Sequence, residues 1–157
     1  MSSLFTNVPL DETIQLLANN WFNTTHDLNL TKMDLVDLLS AATKGLLFQF
    51  NGALYEQTDG VAMGLPLGPL LANVFMSHIK ENLEREGKLP SFYRRYVDNT
   101  LTTMPNIDAA SNFLDRLNQA HFSVKFTMET ECNGTLPFLV FQLLNGSPQI
   151  GTNVYVM

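Results

Sequence analysis

Phe92-Tyr93-Arg94-Arg95-Tyr96-Val97-Asp98-Asn99-Thr100-Leu101-Thr102-Thr103-Met104 reads as two short strands around a tight turn. Tyrosine, valine and threonine suit a pleated, half-buried surface. Asp98-Asn99 supplies the turn, because both side chains bond nearby backbone and tolerate unusual φ. This hairpin lies between two helical patterns. Upstream, Pro69 opens a helix to Glu86, with Leu71, Val74, Phe75, Ile79 and Leu83 on one stripe and Gly87 as the stop. Downstream, residues 107–120 carry Ala110, Phe113, Leu114 and Leu117 at helical spacing.

The rest of the chain extends the mixture. Residues 9–22 read as a helix with Ile14, Leu17, Ala18 and Trp21 on one face and Asp11 and Glu12 at its positive end. Residues 23–30 read as a polar loop. Thr31 with Asp34 resembles a capping box opening a helix to about Leu46, with Leu35, Leu38, Leu39 and Ala42 inward. Asn51-Gly52 marks a type I′ hairpin over Phe48 to Gln57. A glycine-rich loop runs from Asp59 to Gly68. Residues 122–129 alternate, with Phe122, Val124, Phe126 and Met128 on one side and Lys125 on the other. Two last strands, about 136–143 and 149–156, flank Asn145-Gly146, and the first residues read as a strand end. The expected class is α+β: an antiparallel sheet with helices packed mainly on one face, the other face free for a ligand.

The chain has 157 residues and a net charge of −6, with hydrophobic residues at 45% and aromatics at 10%. That length suits one globular domain able to bury most of its apolar surface. One cysteine, Cys132, excludes an internal disulfide framework and a multi-cysteine zinc site. The acidity argues against tight nucleic-acid binding by this chain alone. No leader-like start and no apolar run of ~18 residues is seen, so the expectation is an intracellular chain, nuclear or cytoplasmic, with no membrane. His26, His78 and His121 form no zinc-binding motif, and no phosphate-binding G-x-x-x-x-G-K-[ST] loop occurs.

Three segments carry the chemistry. They are Ser2-Ser3-Leu4-Phe5-Thr6-Asn7-Val8-Pro9, then Gly60-Val61-Ala62-Met63-Gly64-Leu65-Pro66-Leu67-Gly68-Pro69-Leu70-Leu71-Ala72-Asn73, then Arg94-Arg95-Tyr96-Val97-Asp98-Asn99-Thr100. In this order they resemble the palm of a reverse transcriptase, an RNA-directed DNA polymerase, and most of all the Penelope-like retroelement class. That family reads D-V-x-S-L-F-T-N-V-P, then G-x-A-M-G-S-P-L-S-P-x-L-A-N, then R-Y-V-D-D-T. The likeness continues into Lys125-Phe126-Thr127-Met128-Glu129 and Leu136-Pro137-Phe138-Leu139, covering essentially residues 1–157.

The resemblance implies a polymerase-type palm from a mobile element (a retrotransposon). Its parent family acts on an RNA template, a DNA primer and a deoxynucleotide. It implies nucleotidyl transfer by two Mg²⁺ (or Mn²⁺) about 3.5–4 Å apart. It also implies fingers and most of a thumb elsewhere in a longer polyprotein. Asp98 matches the first hairpin aspartate and would be a metal ligand. Asn99 stands where the family has the second. By register the aspartate of the first motif falls one position before Met1. With one of three carboxylates, little or no polymerase activity is expected of this chain, since the metals supply most of the electrostatic stabilisation.

Phe5 matches the aromatic that excludes a 2′-hydroxyl under the incoming sugar; on its own it reads as a core phenylalanine. Gly64, Pro66 and Leu67 belong to the loop that meets template and nucleotide, although Leu65 and Gly68 replace the usual serines. Lys125 matches a lysine that some polymerases place near pyrophosphate; a solvated strand face explains it equally well. Arg94 and Arg95 can touch phosphates, but alternation sends them to opposite faces. Val140 replaces the aspartate that usually follows Leu-Pro-Phe-Leu. The alternative is a non-catalytic remnant or a recruited nucleic-acid- or protein-binding module. A plain interaction domain rests only on acidity and apolar stripes.

Overall fold

A computed structural model describes residues 4–23, 29–146 and 149–154. Ser2, Ser3, His26 and the last three residues lie outside them. The chain is α+β, with five helices and small antiparallel sheets among the described residues. In place of the one sheet expected, there are three: β1 (Leu47–Phe50) with β2 (Ala53–Glu56), β3 (Tyr93–Tyr96) with β4 (Asn99–Thr102), and β5 (Thr135–Phe138), β6 (Phe141–Gly146) and β7 (Gln149–Val154) in that order.

The core is built around α4 (Gly68–Arg85). Leu71, Phe75, Met76 and Ile79 repeat at helical spacing and are buried. Pro69 in the first turn and Gly87 at φ +65 just past the end delimit it as expected. Leu4, Val8, Ile14, Val61, Phe113 and Val124 complete the buried cluster from α1 (Leu4–Asn7), α2 (Leu10–Asn23), the glycine loop, α5 (Ile107–Ala120) and the segment after it. Burying one side chain such as Phe75 contributes about 1.5–3 kcal/mol. The buried hydroxyls of Thr13 and Thr43 are satisfied by donating to the carbonyls of Pro9 at 2.7 Å and Leu39 at 2.6 Å, each four residues back. The first described residues form the turn of helix α1, where a strand end was expected.

α3 (Lys32–Thr43) starts with the capping box. Asp34 N–H donates to Thr31 Oγ1 at 3.1 Å, and Thr31 N–H donates to Asp34 Oδ2 at 2.8 Å. The helix ends at Thr43, before the Leu46 expected. Leu38 and Ala42 face outward; Leu39 and Thr43 are the buried positions, since the helix lies against α2 along that line. Trp21 is 37% exposed at the end of α2. In the β1–β2 hairpin Asn51 and Gly52 have φ +48 and +80, the type I′ pattern. Phe48 and Tyr55 stack across it with centroids 5.6 Å apart, and its residues are solvent-exposed.

Three boundaries differ from expectation. The β3–β4 pairing Tyr96↔Asn99 makes Val97-Asp98 the turn, one residue earlier than Asp98-Asn99. Residues 122–129 have no ladder. Val124 and Phe126 are buried as the alternation requires, whereas Phe122 is 84% exposed. The Asn118 side chain takes the place of a partner strand: it donates to Phe126 O at 3.2 Å and accepts from Phe126 N at 2.7 Å. Finally, 136–143 is not one strand. It folds back at Leu139-Val140, and β6 runs on through Asn145-Gly146, where a turn was expected.

Candidate functional site

The glycine loop is held by the turn of helix before it. Leu4 and Val8 are buried and pin α1, which leaves Phe5 half-buried beside the loop. Val61 N–H donates to Phe5 O at 2.7 Å. Gly60 is at φ +72, and a Cβ there would lie 2.6 Å from both the carbonyl carbon and oxygen of Thr6. Glycine is therefore required twice, for the dihedral and for the close approach. At Gly68 a Cβ would meet Val61 Cγ1 at 3.4 Å and Phe5 Cε1 at 3.7 Å. The structure thus brings Phe5 to the end of the loop where α4 begins.

Between these points the loop turns outward. Leu65 N–H donates to Ala62 O at 3.1 Å and Gly68 N–H to Leu65 O at 2.9 Å. Gly64, at φ +88, has nothing within 4 Å of where a Cβ would be. Gly64 and Pro66 are exposed, and Leu67 is half-buried at the N-cap of α4 with no side-chain cap.

The hairpin that carries Asp98 is joined to the same helix. Arg95 Nη1 donates to Val97 O at 2.9 Å, and its Nη2 donates to Asn73 Oδ1 at 2.5 Å. Asn73 is one turn along α4 from the loop. One guanidinium thus braces the hairpin tip and couples it to the loop's helix. The other end is fixed by Tyr93, buried edge-on to Phe113 with centroids 6.4 Å apart, and by Thr102 Oγ1 donating to Phe92 O at 2.8 Å. Val97 takes φ +53 at the first central position of the turn, a slot that favours glycine. Arg94 points away, its guanidinium 5.3 Å from the Phe92 ring centroid.

Asp98 is half-buried at this tip, and Asn99 Nδ2 donates to Asp98 Oδ1 at 3.2 Å. The amide nitrogen is directed at the carboxylate, so Asn99 acts on Asp98 as a donor. One carboxylate and a neutral amide do not fit a pair of dications, which require several anionic oxygens. Among the described residues no three His, Cys, Asp or Glu side chains are grouped to hold a metal.

Lys125 is not brought to Asp98. Its Nζ donates to Asn118 O at 3.2 Å at the end of α5. The cavity beside Asp98 is lined by Thr127 and Glu129, not by Lys125. Val140 is exposed at the β5–β6 turn, and Cys132 is exposed beside another turn. Sequence reading placed Asn73 at the end of the glycine-rich motif without its partner Arg95, and missed Asn118. A polar residue on an amphipathic helix carries no local mark of its distant partner.

Comparison with protein-family models, curated proteins and solved structures finds no match.

Proposed function

We propose that this chain is a reverse transcriptase palm of the Penelope-like retroelement class, in a form whose hairpin carries Asn99 where nucleotidyl transfer needs a second carboxylate. The supporting observation is the linkage of the three motifs. Phe5 O accepts from Val61 N, and Arg95 of the hairpin bonds Asn73 at the end of the glycine-rich motif. These segments, far apart in the chain, are held together around the start of α4, which is the proximity that one shared site requires. In this reading Phe5, Gly64, Pro66 and Leu67 form the nucleotide side, and Asp98 is a metal ligand. Fingers and thumb would supply the positive grip that a chain of net charge −6 lacks.

Asn99 decides activity. An amide neutralises no charge, so two Mg²⁺ near Asp98 would repel each other with too little compensation. The purified chain should give no primer extension on an RNA template with Mg²⁺ or Mn²⁺; robust processive synthesis refutes the proposed deficiency. In calorimetric titration, Asn99→Asp should bind Mn²⁺ about tenfold more tightly than the parent. Equal, strong, two-site binding by both chains overturns the role given to Asn99.

The same substitution favours a second reading, a remnant recruited as a binding module. Saturable binding of a labelled RNA–DNA hybrid without extension would distinguish it from an inert piece.

A further inference from the structure

A cavity of about 430 Å³ lies beside the β3–β4 hairpin, between α5 and the β5–β6 hairpin. Its floor is apolar. Phe113, Leu117 and Phe126 belong to the buried core and also line it. Its polar lining is Asn99, three threonines and two carboxylates, Asp98 and Glu129, with no lysine, arginine or histidine among the described residues. Neither carboxylate has a cationic partner among the ion pairs of the described residues. A neighbouring hollow shares Glu129 and adds Glu131, again with no basic residue among the described residues that line it.

Thr100 is also in the cavity wall. Its hydroxyl is the one buried side-chain polar atom without a hydrogen-bond partner among the described residues. Such an orphan is uncommon in a folded protein.

We infer that this cavity binds a lipophilic amine: an apolar body against Phe113, Leu117 and Phe126, with a protonated amino group facing Asp98 and Glu129. The volume falls within the range of small-molecule pockets, roughly 300–1,000 Å³, and the lining is the usual apolar surface with a few polar groups. The sign of the charge selects the ligand. Unpaired carboxylates beside a low-dielectric wall attract a cation and repel a phosphate or carboxylate. The inference does not depend on the polymerase reading, since it needs neither metal nor nucleotide.

Three matched probes test it on the whole chain in metal-free buffer: 4-phenylbutylamine, 4-phenylbutanol and 4-phenylbutyrate. They share an apolar body and differ in charge. Binding is followed by the NMR methyl signals of Met104 and Met128, both in the cavity lining. The amine should saturate and move these two signals, with the alcohol about tenfold weaker and the acid weaker still. Asp98→Asn with Glu129→Gln should bring the amine to the affinity of the alcohol. These positions are half-buried and exposed, and an unchanged spectrum of the free variant verifies folding. Equal affinity for amine and alcohol overturns the inference. So does unchanged amine binding in the double variant, a response confined to other methionines, or no saturation by any probe.

Discussion

Alanine at Gly60 puts a methyl group where two stretches of main chain already touch. The new Cβ would sit 2.6 Å from the carbonyl carbon and oxygen of Thr6 and 2.7 Å from its Cα. All three are backbone atoms, so no side-chain rotation relieves the contact. Either the loop moves off α1 or α1 moves off the loop. Both stretch the hydrogen bond from Val61 N to Phe5 O, now 2.7 Å. The left-handed φ of +72 adds its own cost for any residue with a Cβ. With about 1 kcal/mol for the dihedral and about 1–3 kcal/mol for the overpacking, the variant should lose about 2–4 kcal/mol. That is a large part of the stability of a small domain. Gly52→Ala is the control. Gly52 has φ +80 but nothing within 4 Å of its would-be Cβ, so only the dihedral cost of about 1 kcal/mol applies. Urea unfolding should therefore show a midpoint about 1–2 M lower for Gly60→Ala and about half that or less for Gly52→Ala. Amide exchange at Val61 should accelerate in the first variant alone. Equal midpoint losses in the two variants would refute the claim that Gly60 is required by its contact with Thr6.

Two further outcomes follow from local chemistry. Asn118→Leu keeps the side-chain size but removes both hydrogen bonds to Phe126, and should destabilise by about 2 kcal/mol in chemical denaturation; a loss near zero would show that water replaces the amide without cost. The hydrogen bonds from Thr31, side chain first and then backbone, hold the Asp34 carboxyl below its ordinary value of 3.8. A lowered folded pKa means that the stabilisation is present above that ordinary value and is lost as pH falls through the folded one. The melting-temperature difference between the parent and Asp34→Asn should therefore shrink towards acid; a difference constant across pH 2–6 contradicts the sign.

The elements that were legible in the sequence have short-range causes. The α4 stripe, its proline start and glycine stop, the Thr31–Asp34 box and the Asn51-Gly52 turn each involve residues within a few positions. The motif segments were legible in the same way, as ordered local patterns. The misplaced features have distant causes. Asn99 is a better turn residue than Val97, yet the turn falls on Val97-Asp98. Tyr93 packs on Phe113, and Arg95 bonds both Val97 O and Asn73. Those contacts set the register Tyr93↔Thr102 and push a β-branched residue to positive φ. Alternation over 122–129 correctly marked Val124 and Phe126 as buried, but alternation says nothing about a ladder. Lys125 likewise matched a motif in sequence, yet its amine lies on the last turn of α5.

Periodicity of 3.6 or 2 is a property of neighbours along a chain, so helix faces, caps and turn residues are written in residue order. Which backbone Gly60 touches, which helix Arg95 grips, and which two acidic residues line an apolar cavity depend on atoms tens of residues apart. Those pairings come from packing around α4, where close-packed side chains leave few compatible arrangements.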